Sequence, residues 1–217
     1  MKTAFADSLI KYWELLAGIT GLVCYFKRRN SIWFVFAVFL VCLFGMESAG
    51  KWLGRHQMVA ANTRLYKWLV IPAIFLIYHW LYYHFSSKKT RPFVLASALI
   101  FVVLALSENI FLGRQHYYSI SVTLGYGCTA ILLLSFNYFA WLLKEGPILQ
   151  FQQSMPFWFC AGLLVFYLGS FPYLVLFNSL GFSVSKTAYW LFRWLFIILN
   201  YVMYLFFTIG FIWSRPK

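Results

Sequence analysis

At 217 residues, 63% hydrophobic, 23% aromatic and only 11% charged, the chain lies far outside the composition of a soluble domain. That length holds about seven helices of roughly 20 residues with short connections, so any site must be built from helices and their turns. The formal net charge of +13 is accounted for by anionic headgroups at the membrane faces and needs no nucleic acid.

With hydrocarbon thickness as the ruler, spans fall at 9–26, 31–53, 65–86, 93–112, 118–143, 156–180 and 187–213. The expectation is an all-α membrane protein, a seven-transmembrane-helix bundle forming one polytopic domain over 1–217. Lys2, Asp7, Lys11 and Glu14 make the first segment too polar for a cleaved signal peptide, and no small-residue cleavage site follows its core, so it reads as a retained helix. Gly18 and Gly21 give that helix a close-contact face.

The second span carries Glu47 and the third Pro72, which removes a backbone donor and can kink its helix. Ser107, Glu108 and Asn109 end the fourth span; Tyr126 and Asn137 lie in the fifth, Pro172 in the sixth, and Arg193 and Asn200 in the seventh. The two buried amides, Asn137 and Asn200, read as interhelical glue. Lys27-Arg28-Arg29-Asn30, Ser86 to Pro92, Gly113-Arg114-Gln115-His116, Gly146-Pro147 and Gly181 punctuate the spans as turns and caps. The aromatic residues read mainly as lipid-facing bulk and interfacial belts, with Trp52, Trp68, Tyr117, Tyr118 and Trp141 at span boundaries.

Seven spans put the termini on opposite sides. Lys27 to Arg29, Lys88, Lys89, Arg91, Lys144, Arg215 and Lys217 form tight juxtamembrane clusters on one side. Lys2, Lys11, Lys51, Arg55, Arg64, Lys67, Arg114 and Lys186 are spread along the other, so the N-terminus is placed outside and the C-terminus in the cytoplasm.

Alternation also assigns a level to the charges within spans. Glu14 lies about 8 Å into helix one, Arg193 about 9 Å into helix seven, Glu47 about 9 Å before the end of helix two and Glu108 about 6 Å before the end of helix four. All four ends open on the N-terminal side. Charges at such depth cost a few kcal/mol each unless they pair or reach water. They therefore either share a polar pocket, in which Arg193 meets Glu47 or Glu108 with Tyr126 and Asn109 as hydrogen-bond partners, or make local pairs. Glu47 with Lys51 and Lys11 with Glu14 have the spacing for the second arrangement.

Catalytic and metal motifs are missing from the sequence. His56, His79, His84 and His116 lack the spacing that aims two ligands at one ion, and the four cysteines lie in apolar spans. No catalytic residue, metal or cofactor is expected. A retinal protein is excluded because residues 187–213 contain no lysine for a Schiff base, and no three-helix repeat marks a transporter of that type.

Glu47, then Asn62-Thr63-Arg64-Leu65-Tyr66, then Met155-Pro156-Phe157-Trp158 followed by Tyr167 and Gly169, resembles a group of small bacterial seven-helix proteins of uncharacterised function, often encoded beside sensor kinases. The resemblance implies a bacterial inner-membrane location and a signalling association, with a membrane protein or kinase as partner. The chain departs from that pattern in helix three, where an acid is expected after the tyrosine and residues 67–86 contain none.

Three readings remain open. The favoured one is a receptor-like or accessory membrane protein whose polar layer binds a small ligand or partner; the others are a small-solute transporter or membrane-embedded lipid enzyme, and a structural subunit of a membrane complex.

Overall fold

The computed structural model describes residues 2–28, 31–111, 122–145, 148–179 and 186–214. The expected turn residues Arg29, Asn30, Gly113 to His116, Gly146-Pro147 and Gly181, the boundary tyrosines Tyr117 and Tyr118, and the tail cations Arg215 and Lys217 lie outside them. Nothing is described of the side chains of Asp7, Arg28, Pro172 or Lys186.

Every regular element among the described residues is helical: α1 (Lys2–Tyr25), α2 (Ile32–Arg55), α3 (Val59–Leu65), α4 (Ile71–Phe85), α5 (Arg91–Phe111), α6 (Val122–Glu145), α7 (Met155–Ser179) and α8 (Lys186–Trp213), with a π segment at Tyr66–Val70 and 3₁₀ turns at Phe26–Arg28 and Ile148–Gln153. Five stretches are long and apolar enough to cross a membrane: Ile32–Arg55, Val59–Phe85, Arg91–Ile110, Val122–Lys144 and Trp190–Trp213. Met155–Ser170 is apolar but shorter. Large apolar side chains such as Phe93, Leu143 and Leu191 stand exposed along these helices, as a surface facing hydrocarbon requires.

Local chemistry sets the helix ends. The Ser31 hydroxyl accepts from the Trp33 N–H at 3.3 Å and caps α2. At its far end the Met58 N–H reaches Leu53 O and the Gln57 N–H reaches Gly54 O, with Gln57 at φ 58°. That is the paired closure in which a left-handed residue satisfies the last carbonyls of a helix. The third rod therefore starts at Val59, not at the expected 65, and Asn62 to Tyr66 sit inside it.

The chain divides into two compact units, one of residues 1–44 with 132–217 and one of residues 45–131. In the first unit α8 packs on both α7 and α1. Gly21 allows the α1 approach, since a Cβ there would lie 2.6 Å from Ala37 Cβ and 2.8 Å from Phe211 Cζ. Phe36, Phe159 and Phe207 are fully buried and meet with ring centroids 5.3 to 5.6 Å apart. A large part of the aromatic content thus forms core rather than lipid-facing belt, because helices in lipid associate through close packing rather than by leaving water.

Tyr25 pairs with Ser214 through hydroxyls 2.6 Å apart, and Glu14 pairs with Tyr204. The offset is 189 residues in one case and 190 in the other, so α1 and α8 run parallel.

In the second unit α4 and α5 form an antiparallel hairpin. Phe75 packs against Phe101 with tilted rings 5.0 Å apart at their centroids, and both are buried with Tyr78, Leu81 and Val94. Gly127 of α6 lies against the Phe75 ring, which a Cβ would approach to 2.7 Å.

Candidate functional site

The buried acid of the first unit is Glu14. It has no solvent exposure, and its Oε2 accepts from the Tyr204 hydroxyl at 3.1 Å. Arg193 does not share its level. It lies eleven residues before Tyr204 on α8, which is about 16 Å along the axis. The expected single layer is corrected in this respect: α1 begins at Lys2 rather than 9, so Glu14 is deeper than a depth counted from the shorter span. Arg193 itself is half-buried.

The other four residues expected in a pocket belong to the second unit. Glu47 is half-buried on α2, four residues before Lys51. One turn beyond it, a Cβ on Gly50 would lie 2.7 Å from the Tyr66 ring and 3.1 Å from Asn62 Oδ1. Asn62 and Tyr66 therefore close on α2 at Gly50, three residues from Glu47.

Glu108 performs a definite local task. Its Oε2 accepts from the Thr123 N–H at 3.2 Å and the Thr123 hydroxyl at 2.6 Å. Thr123 is the second residue of α6, so a carboxylate from α5 caps the start of α6, where unsatisfied N–H groups and the helix dipole favour negative charge.

Asn109 answers a second backbone defect. The Ile71 N–H, which in an α-helix would bond to Lys67, bonds instead to Tyr66 O. The next donor on a π ladder is position 72, which is proline and has no N–H. The Lys67 carbonyl is left open, and Asn109 Nδ2 lies 3.5 Å from it, a long and weak bond.

Tyr126 was expected to serve the charged residues, but its hydroxyl goes to Ser97, 3.2 Å from Oγ and 3.3 Å from the carbonyl. Ser97 Oγ in turn lies 3.0 Å from His79 Nε2, and His79 Nδ1 lies 2.7 Å from Phe75 O. A carbonyl only accepts, so Nδ1 carries the proton; in the neutral ring Nε2 then accepts from the Ser97 hydroxyl. The result is a directed relay, Tyr126 to Ser97 to His79 to backbone, joining α6, α5 and α4. His79 is almost fully buried.

Sequence reading missed Thr123, Ser97 and the role of His79. The signal was the hairpin: His79 and Ser97 lie nine residues either side of Lys88, and Phe75 and Phe101 thirteen. Of the two amides expected to join helices, Asn137 is exposed and Asn200 bonds to Phe196 O on its own helix at 2.8 Å.

The four cysteines are free thiols. Among the described residues no three His, Cys, Asp or Glu side chains are grouped to hold a metal ion. No protein-family model, curated protein or solved structure matches the chain, so a functional reading must rest on these residues.

Proposed function

We propose that this chain is a seven-pass integral protein of a bacterial inner membrane, with its N-terminus outside, acting as a receptor-like or accessory subunit. Polar groups among its helices respond to a small ligand or membrane partner, and helix packing carries that state to the cytoplasmic face or to a neighbouring kinase. Parallel first and last helices support an odd number of crossings. The observation that carries the functional reading is Glu14: a carboxylate fully buried between apolar helices is costly and marks a functional position in membrane proteins by default.

The test replaces Glu14 by Gln, which keeps shape and hydrogen bonding to Tyr204 while removing the charge. Small molecules and proteins copurifying in mild detergent are identified by mass spectrometry for both forms. The variant is expected to remain folded and to lose a ligand or partner that the wild type retains; identical copurification profiles would count against the reading. Solute flux in proteoliposomes, abolished by the same substitution, would instead establish a transporter.

A second reading, a membrane-embedded lipid enzyme, is favoured by one geometry. The Ser97 hydroxyl faces a histidine nitrogen that can take its proton. Covalent labelling of Ser97 by a fluorophosphonate, lost in His79→Gln, is the outcome that reading requires.

A further inference from the structure

The turn between α4 and α5 gathers three cations, Lys88, Lys89 and Arg91. It connects two stretches that are each able to cross a membrane, Val59–Phe85 and Arg91–Ile110, which places residues 86–90 at headgroup level. Lys88 and Lys89 are exposed there. No acidic residue occurs between Glu47 and Glu108, and Glu108 is at the opposite end of α5, occupied with Thr123.

The turn is already shaped. Ser87 O accepts from the N–H groups of Thr90 and Arg91 at 3.0 and 3.2 Å, and the Ser87 and Thr90 hydroxyls lie 2.9 Å apart. Arg91 opens α5, followed by Pro92, which suits the first helical turn. Its guanidinium rests over the Tyr83 ring, 5.2 Å from the centroid, and its Nε is buried without a hydrogen-bond acceptor among the described residues. An oriented, desolvated guanidinium N–H lacking an acceptor is costly. With Nε shut in and the side chain as a whole half-buried, an external acceptor would be met at the terminal nitrogens of the guanidinium, and a phosphate oxygen is the acceptor its geometry fits best.

We infer that this turn is a binding site for the phosphate of an anionic glycerophospholipid, with Arg91 as the directed contact, Tyr83 as the platform that orients it, and Lys88 and Lys89 as flanking charges. The exposed Leu95, one turn further in along the same face of α5, gives the acyl chains an apolar surface to lie against. This site is independent of Glu14 and of whether the chain is a receptor.

The test uses the full chain in nanodiscs of phosphatidylcholine, titrated with phosphatidylglycerol and read by native mass spectrometry. Phosphatidylglycerol is expected to bind in preference to phosphatidylcholine. Arg91→Gln is expected to weaken it about tenfold and the pair Lys88→Gln, Lys89→Gln about fivefold per cation removed, whereas Lys144→Gln at the end of α6 changes it less than twofold. Tyr83→Leu, which leaves every charge in place, is expected to weaken it severalfold, while Tyr83→Phe does not; this arm holds if Arg91→Gln fails to fold. Three outcomes overturn the inference: no preference over phosphatidylcholine, equal losses for Arg91→Gln and Lys144→Gln, or displacement of the lipid by millimolar inorganic phosphate, which would assign the site to free phosphate.

Discussion

Two single residues show how backbone demands decide side-chain roles in this chain. Gln57 holds the left-handed conformation that ends α2, at φ 58°, a conformation costing an L-residue roughly 1–2 kcal/mol and glycine almost nothing. Gln57→Gly is expected to stabilise the protein by about 1 kcal/mol, read as a rise in thermal midpoint in detergent; a fall would mean the glutamine side chain contributes more than its backbone costs. Glu108 offers the opposite case, since its carboxylate meets both the N–H and the hydroxyl of Thr123. Glu108→Ala should cost about 1–2 kcal/mol by uncapping α6, and Glu108→Gln, which keeps an acceptor oxygen, less than half of that. In the double variant with Thr123→Ala the losses should not add; additive losses would return Glu108 to a role away from α6.

Packing between elements depends on small residues and register. At Gly21 an added Cβ meets Ala37 and Phe211, whereas at Gly45 it meets nothing within 4 Å. Gly21→Val is accordingly expected to cost about 1–3 kcal/mol or more through overpacking, with Gly45→Val nearly neutral, when both are compared by thermal unfolding in one detergent. Loss of stability at both positions alike would mean β-branching in the helix, not the α1 contact, is responsible. The helical rods were legible in the sequence because hydrocarbon thickness sets a length that periodic apolar composition has to fill. Gly18 and Gly21 were legible as a contact face for the same reason that small residues let helices approach. Helix ends without glycine or proline were not: nothing in His56-Gln57-Met58 announces a turn, so α3 went unseen. Register was also hidden, because residues counted inward from misplaced ends set Glu14 level with Arg193, while the packed helices bring it to Tyr204. The relay at Ser97 could have been found by folding the chain about Lys88. Glycine- and proline-marked positions thus tell where helices meet, but which polar groups face each other depends on rotation and offset that composition does not carry.

For the whole molecule the deciding quantity is the number and direction of crossings. The parallel course of α1 and α8 means an even number of reversals between them. Direction rests on the basic residues, since clustered Lys88, Lys89 and Arg91 resist translocation more than cations spread along helices do. Val59–Phe85 is the stretch that joins the turn at His56 to the turn at Lys89. In a chain whose four free cysteines are replaced by serine or alanine, His56→Cys is expected to react with a membrane-impermeant maleimide on spheroplasts, and Lys89→Cys only after permeabilisation. Reversed accessibility would invert the proposed orientation while preserving the crossing. Labelling of both from one side would remove the crossing itself, and with it the proposed seven-pass arrangement.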